Sequence, residues 1–276
     1  MAIDKAWEGK LIDIVERAGA EILKIYASDF SVQNKDDESP LTQADLASHR
    51  VIIEGLTELT PDIPIISEES EPPSYEVRRT WPRYWLVDPL DGTKEFVNRN
   101  GEFTVNIAFI EGGLPTFGIV GVPVQGKIYL GDVEGARAWV LQDDSASDIS
   151  GRQPSPSQGM SVVASRSHGG ERLEDYLDAL EAKVGSLTRT PVGSSLKLCV
   201  LAAGEADCYP RLGPTSEWDI GAAHAILRAA GGEVYTFDRS VLAYNAKESF
   251  LNPEFIAVGR KDHDWWGLLP ELPPAG

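Results

Sequence analysis

The stretch Trp85-Leu86-Val87-Asp88-Pro89-Leu90-Asp91-Gly92-Thr93-Lys94-Glu95-Phe96 decides how the chain is read. An apolar run stops there at two carboxylates, a glycine and a threonine. Arg83 to Val87 has the aromatic and branched content of a buried strand. Pro89 fixes φ and has no N–H, so it is expected to end that strand and turn the chain. Gly92 permits positive φ or close backbone approach, and Thr93 is suited to cap a short helix over Lys94 to Asn98. The turn would gather backbone N–H groups, a hydroxyl and carboxylates at one mouth. Those acids would repel a phosphate unless a hard cation such as Mg²⁺, which takes oxygen ligands, joined them. A polar turn with a capped helix is the plainer alternative, because Asp, Gly and Thr are ordinary turn residues.

The segments on either side supply more acids at similar places. Ile63-Pro64-Ile65-Ile66-Ser67 reads as a strand and ends in Glu68 and Glu69. Before it, Lys5 to Tyr26 spaces Trp7, Leu11, Ile14, Val15, Ala18 and Ile22 at helical intervals. A polar loop follows from Ser28 to Pro40, expected to be exposed and able to close over a ligand. A second helix then begins near Thr42, carries Leu46, Ile52, Ile53, Leu56 and Leu59 inward, and stops before Pro61. Asp45, three residues after Thr42, fits a capping box. Beyond the central stretch, runs at Glu102–Ile110, Thr116–Val122, Lys127–Asp132 and 136–141 are separated by glycine turns and predict an antiparallel meander.

Asp143 to Gly159 is rich in Ser, Asp, Gly, Pro and Gln, and a boundary is placed near residue 150. This gives an N-terminal α+β half over 1–150 and a C-terminal α/β half over 151–276 that completes the site. From Met160 onward strand-like and helix-like runs alternate, the pattern of helices layered on a sheet. One of these helices opens at Ser216-Glu217-Trp218-Asp219-Ile220-Gly221, where Asp219 fits a first turn electrostatically. The small residues after it would let that helix end approach another element closely.

With 25 basic and 43 acidic residues the 276-residue chain carries a formal charge of −18, which argues against affinity for nucleic acid polymers. A small anionic substrate stays compatible if cations and a few basic residues reverse the field locally. No apolar run is long enough to cross a bilayer, and Cys199 and Cys208 alone cannot build a disulfide scaffold, so a reducing cytoplasm is expected. Both thiols are expected in the core, and His49, His224 and His263 are expected to be structural or surface residues. Glu68, Asp88, Asp91 and Asp219, with the Leu90 carbonyl, form an all-oxygen donor set that suits two Mg²⁺ ions better than one, as two-metal phosphate chemistry requires.

The runs Ser67-Glu68-Glu69, Trp85 to Phe96 and Trp218-Asp219, in that order along the chain, resemble the inositol monophosphatase superfamily of lithium-sensitive, Mg²⁺-dependent phosphomonoesterases. Asn100 to Ala108, Ser165-Arg166-Ser167-His168, Gly193 to Lys197, Tyr209-Pro210-Arg211, Gly213-Pro214-Thr215 and Ser249-Phe250-Leu251-Asn252-Pro253 resemble its bacterial CysQ branch, the 3′(2′),5′-bisphosphate nucleotidases. The resemblance covers roughly the first 258 residues. It implies a layered alternating αβαβα sugar-phosphatase fold, of the α/β (α+β) class, and hydrolysis of adenosine 3′,5′-bisphosphate to AMP and phosphate within sulfur metabolism. It implies Glu68, Asp88, Leu90, Asp91 and Asp219 as ligands of two Mg²⁺ ions, three at most. It further implies Thr93 as the residue orienting water, Asp45 as its hydrogen-bond partner, and Glu68 as the acceptor nearest the metal. Gly92 and Thr93 would hold the scissile phosphate, and Lys197 and Arg211, with His168 and Ser194 or Ser195, the second phosphate and nucleoside.

The sequence departs from that branch at Glu38 and at Ile220-Gly221. An inositol or sugar phosphate is the alternative substrate, and the inner-membrane surface an alternative address. A haloacid-dehalogenase-type phosphatase would separate its two acids by one residue, whereas two residues intervene between Asp88 and Asp91. A sensor that binds nucleotide or metal without turnover is the non-enzyme alternative.

Overall fold

A computed structural model describes residues 5–28, 40–143, 145–155, 159–164 and 170–272. The expected loop from Ser28 to Pro40 and the His168 position lie almost wholly outside them. Helix α1, Lys5–Tyr26, and helix α2, Pro40–Leu59, lie side by side. Both pack on one face of a seven-stranded sheet. Its strands are β1 Ile65–Ser67, β2 Arg83–Asp91, β3 Thr104–Glu111, β4 Leu114–Val122, β5 Lys127–Asp132, β6 Arg137–Gln142 and β7 Ser145–Asp148. They neighbour one another in sequence order, β1 parallel to β2 and every later pair antiparallel, so the expected meander is present. β7 lies in the stretch expected to be a linker; its four exposed residues, Ser-Ala-Ser-Asp, carry no apolar alternation.

The other face of this sheet is covered by helix α6, Leu196–Ala202, and helix α7, Glu217–Ala229. Beyond these lies a second sheet of β8 Met160–Ala164, β9 Leu187–Pro191, β10 Cys208–Arg211, β11 Glu233–Thr236 and β12 Phe255–Val258, in the order β11-β12-β10-β8-β9. Its outer face packs on α5 Glu171–Val184 and α8 Trp265–Leu268. The result is the expected αβαβα layering. Two short helices, α3 Tyr75–Arg78 and α4 Thr93–Val97, lie in the connections before and after β2. Strand β2 shows the logic: Trp85 and Val87 enter the core shared with α1 and α2, and Tyr84 and Leu86 the core shared with α7. A strand buried on both faces must be apolar throughout, as 84–87 is. Gly118 and Gly131 let α7 lie flush on the sheet, because a Cβ at either would fall 2.0 Å from Ala222 O or 2.4 Å from Ile226 Cα.

Three local expectations are corrected. α2 starts at Pro40, so Thr42 is not its cap. Its buried stripe runs Ala44, Ser48, Ile52, Leu56, and Leu46, two residues off that stripe, is 40% exposed rather than inward. β2 does not stop before Pro89 but continues to Asp91 through an irregularity: Asp88 faces Asn106 and Asp91 faces Thr104, so β2 uses three steps where β3 uses two. Proline is tolerated in a strand at such a bulge, where no ladder N–H is needed.

Candidate active site

The parallel register of β1 and β2 sets Ser67 opposite Val87, and the Glu68 N–H continues the ladder by donating to Val87 O at 3.1 Å. Glu68 and Asp88 therefore leave adjacent strands side by side. Asp88 is 1% exposed, and its Oδ1 accepts the Leu90 N–H at 3.0 Å, closing the turn that carries Leu90 and Asp91 outward. Ser48 Oγ donates to Pro89 O at 2.8 Å and fixes the same turn from α2. At Gly92 the backbone has φ 96°, which glycine adopts without strain, and α4 starts there. Gly92 is thus the cap position, and Thr93 is the first helical residue, not the cap expected.

From the opposite side α7 brings Asp219. Its Oδ2 accepts the Ser216 N–H at 2.9 Å, so the structural role foreseen for a first-turn acid is real. It is compatible with a second role. One carboxylate oxygen each from Glu68, Asp88 and Asp219 lies within 4.8 Å of the others. Asp91 stands beside them, with Oδ2 accepting the Ser195 N–H at 2.5 Å.

Burial outweighs the nearby cations Lys197 and Arg211 at these acids. Burial, then the charges of Asp219 and Glu69, pushes Glu68 up to about 7. Burial and the charge of Asp219 push Asp91 up to about 7, against the pull of Lys197. Burial and four neighbouring acids drive Asp88 well above the carboxylate range, and burial raises Asp219. A group of hard oxygen donors that destabilise one another when ionised, with no Cys or His among them, fits Mg²⁺ chemistry.

A cleft of about 290 Å³ opens above the acids. Glu68, Asp88, Leu90, Asp91, Gly92, Thr93 and Asp219 line it, and Ser194, Lys197 and Arg211 form its far wall. The amine of Lys197, in α6, donates to Ser194 O at 3.1 Å; burial lowers its pKa while Asp91 opposes that shift. Arg211, at the end of β10, donates from Nε to Gly213 O at 3.1 Å and from one terminal nitrogen to Pro214 O at 2.9 Å, so its own loop fixes the guanidinium.

Two of the expected site residues are not among those lining the cleft. The hydroxyl of Ser195 is buried and pairs with Thr104 Oγ1 at 2.8 Å. It supports the wall, and its backbone N–H holds Asp91, so its part is to position an acid. Asp45 has its Oδ1 buried without a hydrogen-bond partner among the described residues; burial first, then Glu69 and Glu68, pushes it up to about 8. The sequence reading also passed over Lys94, Glu95, Tyr209 and Thr215, which line the cleft. Tyr209 was recoverable: two residues before Arg211 on a strand, it shares that residue's face.

Fold and site together define a layered α/β protein with a carboxylate cluster suited to divalent cations and a cationic wall suited to a phosphorylated ligand. The profile described as "Inositol monophosphatase family" matches residues 7–264, and the chain belongs to that family. Among its relatives, the 3′(2′),5′-bisphosphate nucleotidase CysQ of Salmonella typhimurium is 49% identical over 248 residues, 89% of this chain and 97% of that protein. The protein of the same name from Escherichia coli strain K12 is 47% identical over the same shares. The crystal structure of CysQ from Bacteroides thetaiotaomicron superposes with a TM-score of 0.82 at 42% identity, covering 92% of this chain and 97% of that one. An inositol monophosphatase from Zymomonas mobilis, 22% identical with a TM-score of 0.71 over 94% and 95% of the two chains, shares the fold.

Proposed function

We propose that this protein is a Mg²⁺-dependent 3′(2′),5′-bisphosphate nucleotidase that converts adenosine 3′,5′-bisphosphate to AMP and phosphate. The observation that carries the reading is the meeting of Glu68, Asp88 and Asp219 within 4.8 Å beneath a cleft whose far wall holds Lys197 and Arg211. The nucleotidase names of relatives nearly half identical over most of their length support it.

Glu68, Asp88, Asp91, Asp219 and the Leu90 carbonyl are the residues that would hold two Mg²⁺ ions. When bound, these ions supply charge neutralisation at the phosphate and water activated at neutral pH. The chain's own groups do the rest. Gly92 and Thr93 offer backbone N–H groups to the scissile phosphate, and the Thr93 hydroxyl, exposed in the cleft, orients water toward phosphorus. Glu68, the most exposed of the clustered acids, takes the proton. Lys197 and Arg211 bind the second phosphate, and Ser194 shapes their wall. Such donors matter because a bisphosphate needs positive charge away from the ions.

The division near residue 150 is retained as a boundary between two halves of one enzyme, since α6 and α7 of the second half share a core with the first sheet. No described helix is long and apolar enough to cross a membrane, and the cytoplasm is the compartment proposed. The test is phosphate release from adenosine 3′,5′-bisphosphate, its sulfated analogue and inositol monophosphate at equal Mg²⁺, with and without Li⁺. Preference for the adenosine bisphosphate is expected; a strong preference for inositol phosphate overturns the nucleotidase reading.

A further inference from the structure

Arg78 is 2% exposed, yet it lies in the connector between β1 and β2, midway between Glu68 and Asp88. A buried guanidinium is costly unless its donors are met, and here both terminal nitrogens are met by one distant loop. Arg78 donates to Asn245 Oδ1 and Glu248 O, and to Lys247 O at 3.2 Å, while its guanidinium carbon sits 4.1 Å from the centre of the Phe250 ring. Asn245 returns a bond to Arg78 O at 2.7 Å.

The same loop holds the residues immediately ahead of Asp219. Asn245 N–H donates to Glu217 Oε2 at 2.9 Å, and Phe250 O accepts the Glu217 N–H at 2.8 Å. The Phe250 ring lies against Trp218 at 5.0 Å, and the Asn252 amide donates to Ser216 O at 2.8 Å. A chain of direct contacts thus runs from the β1–β2 connector, through the loop, to the first turn of α7.

We propose that Arg78 is a positioning residue that fixes Asp219 relative to Glu68 and Asp88, and so sets the affinity of the cluster for Mg²⁺. Glu68 and Asp88 come from the seven-stranded sheet and Asp219 from a helix of the other half, so no shared backbone ladder sets their spacing. Packing of α7 on the sheet brings the two sides together, and Arg78 adds a polar cross-link at the end of α7 that carries Asp219. A lysine could not replace it, because a point ammonium neither reaches several carbonyls at once nor stacks flat on a ring.

The inference rests on reading the acids as a Mg²⁺ site, and the test separates the two. Mg²⁺ binding is measured by calorimetry and by the rise in melting temperature with Mg²⁺ for wild type, Arg78→Lys, Arg78→Gln, Phe250→Leu, Asp88→Asn and Asp207→Asn. Asp207 pairs with Arg152 in the second sheet and serves as a destabilised control away from the acids. Expected is a Mg²⁺ affinity ~10-fold weaker in the Arg78 variants and weaker in the same direction in Phe250→Leu, as for residues that support metal ligands. Turnover should return at high Mg²⁺ with the substrate KM unchanged, and Asp207→Asn should bind Mg²⁺ as wild type does. Where Arg78→Gln fails to fold, Arg78→Lys and Phe250→Leu decide. Variants that melt lower but bind Mg²⁺ as wild type overturn the proposal alone, provided Asp88→Asn has lost the response. Asp88→Asn binding Mg²⁺ normally overturns the metal reading and the proposal with it.

Discussion

Helix α7 carries buried charge at two places that behave in opposite ways. In its middle, His224 is fully buried with Nδ1 3.0 Å from Tyr244 Oη and Nε2 2.7 Å from Glu233 Oε1, while Arg228 Nε reaches Glu233 Oε2 at 3.3 Å. Burial alone would push Glu233 up, but its bond to His224 and the charge of Arg228 outweigh burial and hold it below the usual carboxylate range. At its start, Asp219 faces Glu68 and Asp88; burial raises all three, neighbouring acids add to the rise at Glu68 and Asp88, and at Asp219 burial outweighs the pull of Arg211 and Lys197. In one region the partners offset burial; in the other Lys197 and Arg211 do not, and the cluster is arranged to receive a further cation. A buried acid is a structural part in the first setting and a ligand in the second, so the partner rather than the burial tells them apart.

The contrast breaks most visibly at Asp88. Asp88→Asn should lower Mg²⁺-dependent phosphate release by ~10³-fold or more, on the scale of losing a group that stabilises transition-state charge. It should also raise the melting temperature of the metal-free protein, because one mutually repelling carboxylate is gone. Unchanged turnover would discard the assignment of these residues.

On the cationic wall, Lys197→Ala should reduce kcat/KM for the adenosine bisphosphate ~10–100-fold, the scale of a lost charged hydrogen bond, and affect a substrate with one phosphate less. Equal losses on both substrates would remove Lys197 from the second-phosphate subsite.

The self-contained region should respond in the reverse sense. Glu233→Gln is expected to cost ~1–3 kcal/mol of stability, seen by denaturant unfolding, and to leave kcat at the assay temperature within about twofold. A large fall in kcat with stability intact would erase the distinction between the two ends of α7.

The smallest effect is on pH dependence. Glu68 and Asp91 have folded-state values raised to about 7, so protonation favours the folded form. The stability they contribute is fully present below their unfolded values near ~4 and is lost as pH rises toward ~7. Melting of the metal-free protein should therefore show a declining contribution across that window, and Mg²⁺ should flatten it. A rise over the same window, after allowance for other groups, would contradict the shifts.

Much of this was legible before any coordinates. The helix at 5–26 and the strand at 127–132 were read at their observed bounds, because periodic apolar spacing on long elements leaves little ambiguity. Acids at the ends of apolar runs marked Glu68 and Asp88, and Asp219 declared itself by the small residues behind it. What escaped depends on contacts between distant segments. Pro89 looked like a stop because the bulge that accommodates it is defined by β3, not by its own neighbours. Ser195 looked like a ligand because its backbone bond to Asp91 leaves no trace in side-chain identity. Arg78 drew no reading, since nothing nearby in sequence announces that residues 245–250 fold over it.

The most direct test of the shared site is calorimetric titration of Mg²⁺ near pH 6.5 in two buffers with different ionisation enthalpies. Wild type should bind saturably and release protons, since acids raised to about 7 must ionise to accept the ion. Asp88→Asn and Asp219→Asn should lose that binding. Saturable binding that releases no protons and persists unchanged in both variants would place Mg²⁺ elsewhere and contradict the account.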